Sequence, residues 1–467
     1  MRLQDAYDSK YSEFVAVYGR RRVGKTFLVR EKFNYRFTFQ HSGLANEKKQ
    51  QQLSSFRDSL VKQGFRQTAV PATWFDAFNL LEEFISASSD DKKEIFIDEM
   101  PWMDTPQSHF VPALEHFWNG FASARRDVLL IICGSATSWM VKNVFKNHGG
   151  LHNRVTKRIH LHPFDLHECE LLAQQRHLAF SRYELLQCYM ILGGIPYYWN
   201  GLQRGLSLSQ NIDALFFAPD AEFAGEFNEL YASLFSHPEP YIAVISVLAK
   251  KRIGMTRSEI ITEGKLSSSG KLSMVLENLE NCDFIRSYNG YGKVKKDTIF
   301  QLTDSFTLFY FKFMRGQNGK DAHFWTNTLN TPQRHAWEGL AFEQVCFAHI
   351  SQIKQRLGIA GVMSKIYSWH VGDDEENGPG AQIDMLIERA DKVINLCEIK
   401  FADSEYIIDK STDSNLRWKR VRFQRATRSR YGIHITLITT FGLVHNTYAG
   451  EVQSQVTADD LFEPTRE

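Results

Sequence analysis

The segment Gly19-Arg20-Arg21-Arg22-Val23-Gly24-Lys25-Thr26 is a complete phosphate-binding loop of the form G-x-x-x-x-G-K-[ST]. The apolar, β-prone run 14–18 precedes it, and the helix-like run 27–33 follows it. In such a loop, backbone N–H groups surround phosphate oxygens, and the helix N-terminus adds positive potential. We expect Lys25 to reach the β- and γ-phosphates of ATP and Thr26 to hold Mg²⁺. The alternative is a chance match in a Gly/Lys turn, but the flanking strand and helix argue against it.

A second motif supplies the other half of a nucleotide site. Residues 92–99 read as a charged turn, an apolar strand and two acids. Asp98 can hold Mg²⁺ through water, and Glu99 can polarise the attacking water. Acid pairs after apolar strands are common, but this one follows a phosphate loop by about 70 residues. A third apolar strand ends at Ser135, which either senses the γ-phosphate or caps the next helix.

Composition describes an ordinary globular protein of more than one domain. The chain has 467 residues, of which 43% are hydrophobic and 23% charged. No apolar run approaches the roughly 20 residues of a membrane span, and the N-terminus has no apolar signal core. The net charge of +1 gives no general sign of nucleic-acid binding. The lack of such an apolar run predicts that the protein has no membrane partner. The cysteines are scattered and predict reduced, mostly buried thiols in a cytoplasmic protein: Cys133, Cys169, Cys188, Cys282, Cys346 and Cys397.

The pattern along the chain changes after the first 165 residues, which alternate strand and helix as in an α/β nucleotide domain. Amphipathic helices are then predicted at 166–178 and 182–192, and the second is broken by Gly193-Gly194-Ile195-Pro196. We interpret this break as a plain turn.

Residues 240–314 fit a winged-helix pattern. Three helices are predicted: one at 241–249, a second that follows the capping box Thr256–Glu259, and a third at 267–279. Two strands are predicted at 284–288 and 298–302. Its mildly basic surface comes from Lys265, Lys271, Lys293, Lys295 and Lys296. A winged helix that serves only for packing is at least as well supported as one that binds and reads DNA.

Residues 316–400 are predicted to contain a linker and the first elements of a further domain. Residues 316–330 are polar and linker-like, and 337–353 form a helix. The acidic, glycine-rich segment 372–380 is interpreted as a solvated connection. Strands are predicted at 381–388 and 393–400, joined by a hairpin turn.

The register of that hairpin predicts a second chemical site. If the turn centres on Asp391, Asp384 faces Glu398 within about 5 Å, and Lys400 shares their sheet face. Adjacent carboxylates repel each other and are costly unless they bind a cation. Two acids with a lysine can form a Mg²⁺ or Mn²⁺ site that activates water beside a phosphodiester, with Glu343 as a third acid. The alternative is a polar sheet face that binds nothing.

A basic run follows this site. Residues 417–430 contain seven arginines or lysines and no acid, together with Trp418 and Phe423. A solvated helix face and a surface that contacts the DNA backbone are about equally supported.

The chain resembles the archaeal-type, AAA+-like (STAND-clade) P-loop ATPases whose C-terminal domain belongs to the PD-(D/E)xK nuclease superfamily. The resemblance covers nearly the whole length. Its marks are the segments 19–26, 97–99, 133–135, 193–196, 337–343, 398–400 and 437–443. One departure is Gln382-Ile383-Asp384, where the superfamily motif has Pro-Asp.

The resemblance implies an α/β fold with a P-loop ATPase core (1–165), a helical lid (166–235), a winged helix (236–315) and a nuclease-like domain (330–467). Arg154 matches the family's arginine before L-x-P-F, which implies an arginine finger acting on a neighbouring subunit of a homo-oligomer. The alternative is a surface arginine in a basic stretch.

These observations predict Mg²⁺-dependent ATP hydrolysis coupled to a metal-dependent nuclease acting on DNA. The alternative is a nucleotide-driven switch whose C-terminal domain binds DNA or protein without cutting. A helicase-like motor ranks below both, because no helicase motifs follow Asp98-Glu99.

Overall fold

The computed structural model describes residues 2–135, 137–146, 151, 153–235, 237–251, 253–292, 298–317, 321–376 and 378–465. The chain forms two compact units, Met1–His162 with Leu234–Ser236, and Pro163–Ser233 with His237–Glu467. We call them the N-terminal unit and the C-terminal unit. Their boundary after His162 lies close to the end of the ATPase core predicted at residue 165. The finer division of the remaining chain stays a prediction.

A parallel sheet forms the centre of the N-terminal unit. Its strands are β1 (Glu13–Tyr18), β2 (Phe39–Ser42), β3 (Lys93–Asp98), β4 (Val128–Gly134) and β5 (Lys157–His160). They lie in the order β2-β3-β4-β1-β5, and all neighbours are parallel. β4 is buried along its whole length, as an unbroken apolar run predicts. The predicted α/β fold is confirmed, and β4 brings the carboxyl ends of β1 and β3 to the same edge.

Helices and apolar side chains cover both faces of this sheet. One apolar cluster includes Phe14 and Ala16, and the other includes Val15 and Val17. Alternate residues of a strand point to opposite faces, so β1 is covered on both sides. The helices of the unit are α1 (Arg2–Tyr7), α2 (Lys25–Lys32), α3 (Lys49–Lys62), α4 (Trp74–Ala87), α5 (Phe110–Gly120) and α6 (Thr137–Met140).

The C-terminal unit begins with helices. They are α7 (Leu166–Gln175), α8 (Arg182–Leu192), α9 (Pro196–Asn200), α10 (Leu208–Phe216) and α11 (Glu226–Leu234). Capping boxes begin three of them, at Asp165, Ser181 and Ser207. The predicted helix 182–192 is confirmed, whereas the helix predicted to end at residue 178 ends at Gln175.

The break after α8 is more than the plain turn expected from the sequence. Gly194 accepts a hydrogen bond from the Phe164 N–H at 2.7 Å. A Cβ at Gly194 would lie 1.7 Å from the Phe164 carbonyl oxygen, so no other residue fits. Gly193 has φ +59° and accepts a hydrogen bond from Trp199 Nε1 at 2.7 Å. The two glycines therefore let α8 pack closely against the chain where it enters the C-terminal unit.

Residues 239–302, which we call the three-helix module, contain the elements of the predicted winged helix. These are α12 (Glu239–Leu248), β6 (Met255–Thr256), α13 (Arg257–Gly264), α14 (Gly270–Asn281), β7 (Ile285–Tyr288) and β8 (Ile299–Leu302). The capping box between Thr256 and Glu259 is present, and the strands form an antiparallel sheet in the order β6-β8-β7. Lys293, Lys295 and Lys296 lie outside the described residues. Whether the module reads DNA stays a prediction.

The expected linker at 316–330 is wrong over its second half. After α15 (Ser305–Phe309), the chain forms the short helix α16 (Phe324–Asn327), whose Trp325 is buried. The buried Asp213 carboxylate accepts hydrogen bonds from the Trp325 N–H at 2.7 Å and from the Thr326 N–H at 3.1 Å. This acid lies more than 100 residues earlier and satisfies the first N–H groups of the helix. A local reading of a polar segment could not find it.

A mixed sheet completes the C-terminal unit. Its helices are α17 (Pro332–Ala348), α18 (Ile350–Arg356), α19 (Lys410–Thr427) and α20 (Ala458–Leu461). Its strands are β9 (Ser364–Val371), β10 (Ala381–Arg389), β11 (Val393–Lys400), β12 (Gly432–Thr439) and β13 (Val452–Thr457). The order is β13-β12-β11-β10-β9, antiparallel from β9 to β11 and parallel from β11 to β13. The described residues of 372–380 form the expected connection, mostly exposed, between β9 and β10.

The helix predicted at 337–353 is interrupted at His349. This buried imidazole accepts a hydrogen bond from the Leu166 N–H at Nε2 (2.9 Å), and its Nδ1 lies 2.8 Å from the Val345 carbonyl oxygen. Burial lowers the pKa of His349, so the ring is held neutral. It joins the start of α7 to the end of α17.

In the described part of the chain, no helix is both long and apolar enough to cross a membrane. All six cysteines are free and buried, as predicted. The cytoplasmic location stays a prediction.

We predict that His41 makes the stability of the N-terminal unit depend on pH. Burial lowers the pKa of this β2 residue to about 4, from 6.5. Between these values the unfolded chain takes up a proton and the folded chain does not, so stability falls as pH falls, by about 3 kcal/mol in total. Unfolding measured from pH 7 to pH 4 should show a steeper loss for the wild type than for His41→Gln. Parallel curves would contradict this assignment.

Candidate functional site

The phosphate loop lies between β1 and α2, in the predicted strand–loop–helix context. Gly19 has φ +146°, and a Cβ there would lie 2.2 Å from the Leu161 carbonyl oxygen, so only glycine fits. Gly24, with φ +89°, immediately precedes α2. Lys25 Nζ donates hydrogen bonds to the carbonyl oxygens of Gly19 (2.9 Å) and Arg20 (2.8 Å). The ammonium group is therefore held at the loop, where phosphate oxygens bind in loops of this type.

The remaining loop residues differ in burial. Arg20 and Val23 are buried, and Arg21 and Arg22 are half-buried. Arg22 has φ +74°, which is uncommon for a residue with a side chain. Contacts between these residues and nucleotide stay a prediction.

The two predicted Mg²⁺ ligands meet across the sheet edge. Thr26 Oγ1, in the first turn of α2, donates a hydrogen bond to Asp98 Oδ2 at 2.8 Å, although 72 residues separate them. The other oxygen, Asp98 Oδ1, accepts from the Glu99 N–H at 2.9 Å. Hydroxyl and carboxylate oxygens are the hard ligands that Mg²⁺ prefers. The donor set therefore fits this ion.

Glu99 and Ser135 extend the same cluster. Ser135, which follows β4, donates a hydrogen bond through Oγ to Glu99 Oε2 at 2.8 Å. Glu99 has φ +45°, in the left-handed region, at the turn that follows β3. Because β4 lies between β1 and β3, the serine stands between the two nucleotide motifs. This contact favours the nucleotide-site interpretation of Ser135 over a helix cap.

Arg154 lies three residues before β5 on an exposed stretch. Its backbone N–H donates to the Leu151 carbonyl oxygen at 3.0 Å. Its role as an arginine finger stays a prediction.

The hairpin register predicted for the acid pair is confirmed. Met385 pairs with Cys397 and Glu388 with Ile394, and one further step places Asp384 opposite Glu398. Asp384 Oδ2 accepts a hydrogen bond from the Ile399 N–H at 3.0 Å. Burial, and then the negative charge of Glu398, raise the pKa of Asp384. The two acids are therefore close enough to repel each other.

Two ammonium groups compensate this repulsion. Glu398 is buried, with 3% of its surface exposed. Its Oε1 lies 2.9 Å from Lys400 Nζ, and its Oε2 lies 2.5 Å from Lys419 Nζ, on α19. Burial alone would lower the pKa of Lys400, but the Glu398 carboxylate outweighs it, and the pKa is raised. Lys400 and Lys419 thus balance the formal charge of the two acids. Whether the acid pair is costly without a metal ion stays a prediction.

A divalent ion bound to Glu398 would share its carboxylate oxygens with the ammonium groups of Lys400 and Lys419. Glu343, on α17, lines a cavity of about 20 Å³ together with Asp384. Among the described residues, the carboxylate oxygens of Glu343, Asp384 and Glu398 do not all lie within 4.8 Å of one another. The part of Glu343 in a metal site therefore stays a prediction.

Much of the basic run 417–430 is used inside the fold. Arg417 Nη1 and Arg420 Nη1 contact the Glu451 carboxylate at 2.7 and 2.8 Å. Lys419 and Arg422 are buried. The aromatic residues are not available either. Phe423 is buried in the sheet core, and Trp418 packs where a Cβ at Gly378 would lie. Arg417, although paired with Glu451, is exposed, as are Arg425, Arg428 and Arg430. Contact between these residues and a DNA backbone stays a prediction.

Residues 1–202 match a protein-family model described as an ATPase domain predominantly from Archaea. This region is an archaeal-type ATPase domain. The match runs beyond the N-terminal unit and includes α7, α8 and α9 of the C-terminal unit. It ends before the three-helix module and the acid cluster.

Other proteins resemble the chain at low identity. An uncharacterised protein of Methanocaldococcus jannaschii is 22% identical over 324 residues, which are 67% of this chain and 66% of that protein. The match thus covers just under two thirds of the relative's length. A Walker-type ATPase of Pyrococcus abyssi is 15% identical, with a TM-score of 0.47 over 67% of this chain and 93% of its own. The ORC2 protein of Aeropyrum pernix, solved in ADPNP–ADP complexes, is 13% identical, with a TM-score of 0.40 over 67% and 90%.

Lys419 is the residue of the acid cluster that the sequence interpretation missed. Leu416, Lys419 and Phe423 follow one another at spacings of three and four, and all three are buried on one face of α19. That periodicity is typical of a core-facing stripe. A lysine on such a stripe needs a buried acid, which the pattern could have indicated.

We predict that Lys419→Met separates the ion-pair role of Glu398 from a metal-binding role. Loss of one partner leaves a buried carboxylate oxygen uncompensated and should cost about 3 kcal/mol. Glu398 Oε2 then has no lysine partner and becomes available to a metal ion, so Mn²⁺ should raise the melting temperature of Lys419→Met more than that of the wild type. Arg420→Met, on the same helix, is the control and should not change the response to Mn²⁺. An equal Mn²⁺ response in all three proteins would show that Glu398 binds no metal.

Proposed function

We propose that the protein couples Mg²⁺-dependent ATP hydrolysis to a metal-dependent nuclease site in the C-terminal sheet. The observation that carries the first half is the chain of contacts from Thr26 through Asp98 to Glu99 and Ser135. Lys25 would bind the β- and γ-phosphates, and Thr26 and Asp98 would hold Mg²⁺, which neutralises phosphate charge. Glu99 would orient the attacking water and take its proton. Ser135 would keep the Glu99 carboxylate in position.

ATPase measurements on Glu99→Gln test this assignment. The variant should bind ATP with wild-type affinity but lose turnover, because the amide cannot accept the proton while Thr26 and Asp98 still hold Mg²⁺. Lys25→Ala is the matched comparison and should lose ATP binding itself. Hydrolysis by Glu99→Gln at the wild-type rate would rule out the water-activating role.

Arg154 would stabilise the transferred phosphate across a subunit boundary. Its exposure and its place just before β5 support this proposal. Arg154→Ala should bind ATP normally and hydrolyse it roughly 10³-fold more slowly. Mixing Arg154→Ala with Lys25→Ala should restore part of the activity in mixed assemblies. Arg158→Ala, in the same basic stretch, is the control. The proposal fails if no mixture complements, or if the protein stays monomeric with ATP.

The nuclease half of the proposal rests on the confirmed hairpin register. Asp384 and Glu398 are adjacent, and Lys400 is within 2.9 Å of Glu398. Two acids would hold a divalent ion that activates water beside a phosphodiester, and Lys400 would contact the phosphate. When no divalent ion is bound, the ammonium groups of Lys400 and Lys419 would keep both acids in place. Arg425, Arg428 and Arg430 could still contact a DNA backbone.

A second function is favoured by the same ion pairs. Both oxygens of Glu398 contact lysines, and the three acids do not form a ligand set among the described residues. A C-terminal domain of this kind could bind DNA or protein under control of the nucleotide state without cutting. The acid cluster would then be a structural ion-pair network.

A plasmid-nicking assay decides between the two functions. Wild-type protein should nick DNA with Mg²⁺ or Mn²⁺, and nicking should be lost in Asp384→Asn and Lys400→Ala. Both variants should keep ATPase activity, since the nucleotide site uses other residues. Arg420→Ala, outside the acid cluster, should still nick. Absence of nicking under either ion, with intact ATPase activity, would favour the switch.

A further inference from the structure

The three-helix module packs against the sheet that carries the acid cluster. The ring of Tyr291, which follows β7, lies 5.4 Å from the ring of Tyr367 on β9 and 5.2 Å from that of Phe423 on α19. The Tyr288 hydroxyl oxygen accepts a hydrogen bond from Ser368 Oγ at 2.9 Å. These contacts hold the end of β7 against β9. The module and the sheet therefore form a shared surface.

That surface contains the cavity beside Asp384. Asp384 and Glu343 line it from the sheet and α17, and Arg286, Tyr288 and Gln301 line it from the module. Its volume is about 20 Å³, enough for one water molecule. Because the module packs against the sheet, its residue Arg286 lies beside the acid cluster.

Arg286 is unusual among the cations of this region. Its guanidinium lies 3.6 Å from the centre of the Phe347 ring, and its Nε donates to Gln301 Oε1 at 2.8 Å. Among the described residues, no carboxylate forms an ion pair with it, whereas Lys400 and Lys419 both contact Glu398. Burial lowers the pKa of Arg286 to about 10. A charge held in such surroundings is stabilised by an anion that arrives at the cavity.

We propose that Arg286 binds a phosphate oxygen of a nucleic-acid strand at the mouth of the cavity beside Asp384. The three-helix module would then contribute a positioning residue to the site on the neighbouring sheet. This inference rests on the proposed phosphodiester substrate. Because the cavity holds about one water, the phosphate would lie at its mouth rather than within it. The guanidinium would orient the strand toward the acids without taking part in bond cleavage.

Binding measurements on the full chain test the role of Arg286. All proteins carry Asp384→Asn, so that DNA stays intact, and the probes are short duplex and single-stranded DNA at several salt concentrations. Arg286→Gln should weaken binding about tenfold and lower the salt slope by about 1, because one phosphate contact is lost. Arg286→Lys should keep most of the slope. The matched control is Arg315→Gln, which also removes an arginine that stacks on a phenylalanine but does not line the cavity.

The outcomes separate this inference from the nuclease proposal. Unchanged affinity and salt slope in Arg286→Gln, or no DNA binding by the parent protein, would overturn the role of Arg286. A lower salt slope of DNA binding in Arg286→Gln, but not in Arg315→Gln, supports the role of Arg286, even if the wild-type protein never nicks DNA. If Arg286→Gln loses ATPase activity or its cooperative unfolding, Arg286→Lys decides. Weaker binding by Arg286→Lys at an unchanged salt slope then supports the contact, because lysine keeps the charge but lacks the paired donors of the guanidinium. Binding by Arg286→Lys as tight as that of the parent protein contradicts it.

Discussion

The hydrogen bond between Thr26 and Asp98 is the interaction on which the nucleotide site depends. It joins the first turn of α2, the helix that follows β1, to the last residue of β3. β1 and β3 are not neighbours in the sheet. β4 lies between β1 and β3, and the side chains of Thr26 and Asp98 meet across its carboxyl end. Ser135, which follows β4, is thereby placed within hydrogen-bond distance of Glu99. A parallel sheet collects the carboxyl ends of its strands at one edge, so residues distant in sequence can form one hydrogen-bonded chain. Thr26, Asp98, Glu99 and Ser135 are connected in this way within the archaeal-type ATPase domain.

A different constraint applies to the acid cluster, because buried carboxylates need compensating positive charge. Asp384 and Glu398 repel each other, and Lys400 and Lys419 restore neutrality. Such a network balances the charge of the acids, although burying its members away from water costs free energy. A divalent ion that binds Glu398 would compete with these ammonium groups for its carboxylate oxygens, in an exchange. Lys400, on the sheet, and Lys419, on α19, would respond differently to that exchange, because only Lys400 is partly exposed.

Contacts within the C-terminal unit offer a physical connection to the acid cluster. Tyr183 of α8 stacks on Phe401, the residue after Lys400, with ring centres 5.4 Å apart. α8 belongs to the region that matches the ATPase family, although it packs within the C-terminal unit. Burial, and then the negative charge of Glu338, raise the pKa of Tyr183 to about 12, so its hydroxyl stays protonated. A helix of the region that matches the ATPase family therefore contacts the residue that follows Lys400 at the end of β11.

The sequence by itself determined the local elements and the residues that form each motif. The phosphate loop, the strand ending in Asp98-Glu99, the capping box at Thr256 and the hairpin centred on Asp391 all depend on spacing along the chain, and spacing is visible in a sequence. Only the tertiary structure decided which charges meet. Asp213 holds the start of α16, Lys419 neutralises Glu398, and Arg286 reaches the cavity beside Asp384. These contacts join residues that lie 21 to 113 positions apart in the sequence. A buried charge depends on such distant neighbours, which periodicity along the chain does not identify. For the same reason a run of basic residues looked like an open surface, although the fold buries or pairs four of its seven cations.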